Sequence, residues 1–89
     1  MKAEVRVKKT LVADNNKSFI EGGEIAFTMA DNNVTYIGEI VEIHDTHMVL
    51  CRVEISSNSA NKNVDNIPEK MTVPYWAIKD NTCNYVSVD

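Results

Sequence analysis

Only two cysteines, Cys51 and Cys83, occur in 89 residues. That is too few for the disulfide framework that holds many small secreted domains together. Glycine and proline are scarce too, at three and two, which excludes collagen-like and linker-like compositions. No apolar run approaches the roughly 20 residues of a membrane-spanning helix. The opening Met-Lys-Ala-Glu-Val-Arg-Val alternates charge with small apolar residues and has no apolar core of a signal peptide. A reducing cytoplasm is therefore the expected location. Basic residues are outnumbered, nine against 13 acidic, for a net charge of −4. Nucleic-acid affinity comes chiefly from Lys and Arg on phosphates, so the overall charge speaks against a nucleic-acid partner. The local exception is Lys2, Arg6, Lys8 and Lys9. With no secretion signal, the sequons at Asn16 and Asn33 mark only polar loops.

What is present is an ordinary globular share of apolar residues, 44%. Surface scaling lets a chain of this length bury about two-thirds of its extended surface. That suffices for one modest core and not two, so residues 1–89 read as one domain. Strict alternation from Ala3 to Val7 predicts a strand with one buried face, which Leu11 and Val12 extend. Ala13 to Ser18 is turn chemistry. Ile25, Phe27 and Met29 then share one face of a second strand, and Asp31-Asn32-Asn33 forms a hairpin turn. Val34 to Ile43 is the longest strand; its apolar residues change parity and Gly38 lies inside it, the pattern of a bulge or bend. After His44-Asp45-Thr46, a strand from His47 to Ile55 is expected to bury Val49, Cys51, Val53 and Ile55 and expose Arg52 and Glu54. Ser56 to Glu69 reads as a flexible loop. Met71 to Val73 is a short strand stopped by Pro74, Tyr75 to Ile78 a single helical turn, and Tyr85 to Val88 a last strand.

Strands at eight- to twelve-residue spacing indicate an all-β sandwich or barrel. The run from Gly22-Gly23-Glu24-Ile25-Ala26-Phe27 through Tyr36–Ile43 and His47–Glu54 to Met71–Ile78 resembles the SH3-like small barrels. The resemblance covers about residues 22–89 and implies a barrel of five to six strands with a short helical turn near Pro74–Ile78. The chain is also distantly similar to Sm-like RNA-binding barrels. It departs from them by opening with a strand and by lacking a basic, glycine-containing contact loop.

Four groups of residues bear chemistry worth weighing. Glu42, His44, Asp45 and His47 are the most site-like cluster, because imidazole and carboxylate together suit zinc. A polar hairpin turn explains the same residues, and no fourth ligand is evident. Cys51 near a histidine has the elements of a nucleophile and base, but its position between Val49 and Val53 reads as a small buried hydrophobe. Cys83, in a polar stretch, is the expected exposed thiol. Tyr75 and Trp76 are the strongest partner-binding candidates: adjacent aromatics on one turn cannot both point inward, and exposed aromatics anchor interfaces. The preferred placement of Trp76 is nevertheless in the core, since a core this small wants its only tryptophan.

Phosphate-binding glycine loops, paired catalytic carboxylates and Ser-His-Asp arrangements are absent from the sequence. The sequence thus predicts no enzyme and no cofactor. It predicts a protein-interaction or regulatory module, perceived as an accessory protein of a bacterium or mobile element, with Tyr75, Trp76 and the 56–69 loop as contacts. An Sm-like oligomer binding RNA through Lys2, Arg6, Lys8 and Lys9 is the alternative, and a small metal-binding protein the second. Oligomeric state has no signature in the sequence.

Overall fold

The alternating segments build seven strands in two antiparallel sheets. They are seen in a computed structural model that describes residues 1–6 and 9–86. The first sheet has the order β1-β2-β3, from Glu4–Arg6, Thr10–Val12 and Ser18–Ile20. The second has the order β4-β5-β6-β7, from Glu24–Thr28, Thr35–Ile43, His47–Ile55 and Lys70–Pro74. A 3-10 turn, Tyr75–Ala77, follows directly. The all-β expectation holds. Closure does not: among the described residues neither sheet closes on itself, and there are seven strands, not five to six. The chain leaves the last of the three short strands and turns at Gly22, whose φ of 88° suits glycine, before the larger sheet begins.

Asparagine makes the tight turns. Asn16 (φ 69°) and Asn33 (φ 59°) take the left-handed conformation between β2 and β3 and between β4 and β5. The side chains of Asn15 and Asn32 accept hydrogen bonds from the Lys17 and Val34 amides. Both sequon asparagines are thus turn residues, for the backbone reason expected of Asn.

The core is one cluster drawn from both sheets. Ile25, Phe27, Ile40, Ile43, Met48, Leu50 and Val73 come from the large sheet, Leu11 and Phe19 from the small one, and Val34, Ile78 and Cys83 from connections. Two bulges decide which residues reach it. In β5, Ile40 pairs with Leu50 but Glu42 pairs with Val49, so Val41 is the extra residue and stands exposed. In β6, Ile37 pairs with Glu54 and Glu39 with Cys51, so Arg52 and Val53 together oppose Gly38. Arg52 takes a φ of 53° there. This bulge corrects the inward set expected for β6. Met48 and Leu50 are fully buried, Val49 and Cys51 are half-buried on the opposite face, and only beyond Arg52 do Val53 and Ile55 turn toward the core.

Residues 82–85 close the structure. Asn84 exchanges two main-chain hydrogen bonds with Ala26 of β4, at 2.8 and 2.9 Å. The Cys83 carbonyl accepts from Asn15 (2.8 Å), and the Tyr85 ring lies 5.2 Å from Phe19 of β3. The segment is a clasp across the two sheets. Tyr85 and Val86 form no strand, and the rest of the expected last strand, residues 87–88, lies outside the described residues, as do Val7 and Lys8. The 56–69 stretch contains no strand before Lys70, as expected, yet its first half is tied down. Buried Ser59 accepts from the Thr35 amide (2.9 Å) and donates to the Asn61 carbonyl, while Val64 packs on the core.

Candidate interaction site

Pro74 ends β7, with φ −67° and ψ 139°, and has no N–H to extend a ladder. The chain then tightens into the 3-10 turn, in which successive side chains point about 120° apart. That spacing separates the two aromatics. Tyr75 is 4% exposed and Trp76 is 79% exposed. The core placement expected for Trp76 is therefore overturned: its neighbour takes the inward position.

The turn is fixed from both sides. The Tyr75 amide donates to the Thr46 carbonyl at 3.1 Å, and its hydroxyl donates to the His44 carbonyl at 2.7 Å. Burial first, and then the charge of Asp45, pushes that phenol up to about 12. On the other side the Ala30 amide donates to the Ala77 carbonyl (2.9 Å), the Lys79 amide donates to Thr28 (2.8 Å), and Ile78 pairs with Met29. Trp76 thus projects from a turn clamped between residues 44–46 and residues 28–30. Asn61 donates to the Asn32 carbonyl (2.8 Å), which brings the start of the 56–69 loop beside the same 30–33 turn. The contribution of residues 30–33 was not legible in the sequence, because they lie more than 40 positions from Trp76 and no local pattern links them.

The remaining candidates occupy separate places. His44 and His47 stack, with ring centroids 4.6 Å apart and planes at 23°. His44 Nε2 lies 3.0 Å from Glu42 Oε1, and His47 Nδ1 lies 2.9 Å from Thr46 Oγ1. Parallel rings with separate partners do not converge on one point, as metal ligands must. Among the described residues no three His, Cys, Asp or Glu side chains are grouped to hold an ion. Cys51 faces Glu39, its thiol 3.6 Å from Oε2. Burial and then that carboxylate push the thiol upward, away from the reactive thiolate. Cys83 is not the exposed thiol expected. It is 1% exposed, turned inward because its neighbour Asn84 is spent on Ala26, and its sulfur lies 3.3 Å from Met1 Sδ. Of the basic group at the start, Lys2 and Lys9 are exposed, whereas Lys8 and the Arg6 side chain lie outside the described residues.

Two of the open hollows on the described surface lie near these residues or the clasp. One, of about 360 Å³, lies over the β6 bulge and is rimmed by Glu24, Glu39, Glu54 and Arg52. The other, of about 550 Å³, lies between the Ser56–Asn58 turn and the clasp. No helix of the described residues is long and apolar enough to cross a membrane. Comparison of the chain with protein-family models, with curated proteins and with solved structures yields no match.

Proposed function

We propose that this chain is a non-enzymatic protein-interaction module whose contact surface centres on Trp76. One observation carries the reading: the only tryptophan is 79% exposed on a turn that main-chain hydrogen bonds fix on both sides. A large aromatic carried on a fixed turn needs no backbone ordering on binding and buries most of its area, which is why such residues anchor interfaces. Tyr75 serves the site from beneath, holding the turn against His44 and Thr46. The 56–61 segment, beside the same turns, supplies polar groups for a rim. The SH3-like likeness of residues 22–89 belongs to the same proposal, as a two-sheet variant of that element order.

The test is a comparison of Trp76→Ala with the unaltered chain as bait for interacting proteins, after urea unfolding has shown equal stability. Loss of specifically captured proteins supports the reading, and an unchanged set of partners removes Trp76 from the contact surface. Light scattering on the size-exclusion peak, with absorbance at 260 and 280 nm, separates this from the RNA-binding alternative. A closed ring with excess 260 nm absorbance would replace the interaction module by that alternative.

A further inference from the structure

The surroundings of Trp76 have a sign. Each of the two turns hydrogen-bonded to the Tyr75–Ala77 turn carries an exposed aspartate: Asp45 beside Thr46, and Asp31 beside Ala30. Among the described residues neither is paired with a lysine or arginine. Glu42 adds a third carboxylate on the Asp45 side, half-exposed and shared with His44. Among the described residues the countercharges are Lys79, whose ammonium donates to the Asn33 amide oxygen at 3.3 Å, and the buried N-terminal ammonium, which donates to the Ile78 carbonyl at 3.1 Å and is already paired with Asp80 at 3.4 Å. The indole face is the best aromatic acceptor for a cation, because its quadrupole is negative above the ring.

We propose that the Trp76 surface receives an arginine or lysine side chain from a basic segment of a partner protein. This rests on Trp76 being a contact residue, and adds the chemistry of what contacts it. The cation lies over the indole, and Asp31 and Asp45 flank it from opposite turns. An acidic segment is repelled by the same carboxylates. A neutral apolar segment gains the ring but not the charges, so charge complementarity favours the basic partner.

The experiment uses three capped peptides of one length, carrying two arginines separated by an alanine, two citrullines, or two glutamates. Binding is read from Trp76 emission, unambiguous because the chain has no other tryptophan, and from backbone amide shifts. The arginine peptide is expected to saturate, to shift the amides of Ala30, Thr46 and Ala77, and to weaken as salt rises and the Debye length shortens. The Asp31→Asn/Asp45→Asn double variant should weaken it about three- to tenfold, the scale of two exposed charge pairs. Trp76→Phe should retain part of the affinity and Trp76→Leu little, a ranking that simple loss of area does not give. Equal binding of the citrulline peptide overturns the cation proposal and leaves Trp76 a contact for a neutral partner. Tighter binding of the glutamate peptide overturns the sign in the same way. Shifts confined to the hollow at Glu24, Glu39 and Glu54, or no saturation with any peptide, also overturn it. The capture experiment with Trp76→Ala then decides separately whether the site binds protein at all.

Discussion

The two sheets are built from the same alternating pattern but at different scales. In the large sheet, strands of five to nine residues place Ile25, Phe27, Ile40, Met48, Leu50 and Val73 on one inner face. In the small sheet each strand has three residues, and among its described side chains only Leu11 and Phe19 are nearly fully buried. A sheet that small has no independent stability in water. It persists because Leu11 and Phe19 join the core cluster and because the 82–85 clasp bonds to both sheets. The difference teaches that the small sheet is a lid on the large one, and that their joint matters more than their ladders.

Truncating the core tests this most severely. Phe27→Ala, in the large sheet, should cost about 3–5 kcal/mol. Leu11→Ala should cost about 2–5 kcal/mol, although it lies in the smaller sheet, because it is equally buried at 0%. Urea unfolding followed by circular dichroism and by Tyr85-sensitive near-ultraviolet signals should remain a single transition in both. An early separate transition in Leu11→Ala would mean that the lid opens by itself and that the two sheets are not one unit.

Gly38 sharpens the comparison from the large sheet's side, since it sits opposite the Arg52–Val53 bulge. An added Cβ would meet the Cys51 carbonyl oxygen at 3.3 Å, Val53 Cγ2 at 3.4 Å and Leu50 Cβ at 3.5 Å. The carbonyl belongs to the ladder and cannot swing away. Gly38→Ala therefore sets about 1–3 kcal/mol of overpacking against about 0.4–1 kcal/mol gained from a stiffer unfolded chain. Net destabilisation near 1 kcal/mol is expected, and a stabilised variant would show that the bulge relaxes freely.

The joint itself has a pH signature. Burial, and then the nearby charge of Asp14, pushes the Cys83 thiol from 9.0 up to about 12. The Tyr75 phenol rises from 10.0 to about 12. Each group is neutral while protonated, so the folded state holds the proton more tightly than the unfolded one. Their contributions are complete below the unfolded values and are lost as pH rises toward about 12. Urea midpoints should accordingly fall from pH 9 upward, with Cys83→Ala flattening the first part of that fall, before Tyr75 begins to contribute. Identical slopes in the two proteins would place water at the Cys83 thiol and open the clasp.

How much of this was legible in the sequence depended on whether a feature is local. Ile25 and Phe27 announce their buried face by alternation, and Gly38 announces an irregular strand. The Arg52 bulge has no such mark: an arginine at φ 53° is imposed by the partner strand, and it reverses the expected faces of Val49 and Cys51. Cys83 looked exposed because its neighbours are polar, yet Asn84 is used on Ala26 and Thr82 on Thr28, both of a distant strand, and the Cys83 carbonyl itself accepts from Asn15. At the candidate site, the turn and its two aromatics were legible, and the choice between them was not. That choice follows from where Thr46 and His44 accept the hydrogen bonds of Tyr75.

The smallest expected effect completes the comparison, because Trp76 belongs to the packing of neither sheet. At 79% exposure it leaves no cavity when truncated, so Trp76→Ala should change stability by no more than about 0.5 kcal/mol. Its neighbour Tyr75 is 4% exposed and anchored to His44, and Tyr75→Phe should cost about 1 kcal/mol through the orphaned carbonyl alone. Urea midpoints of the two variants, measured side by side at pH 7, check the ranking. A reversed order, with Trp76→Ala the costlier, would mean that the indole folds back onto apolar surface in solution. The exposed aromatic that carries the interaction reading would then be part of the core, and both the partner surface and its sign would have to be sought elsewhere on the molecule.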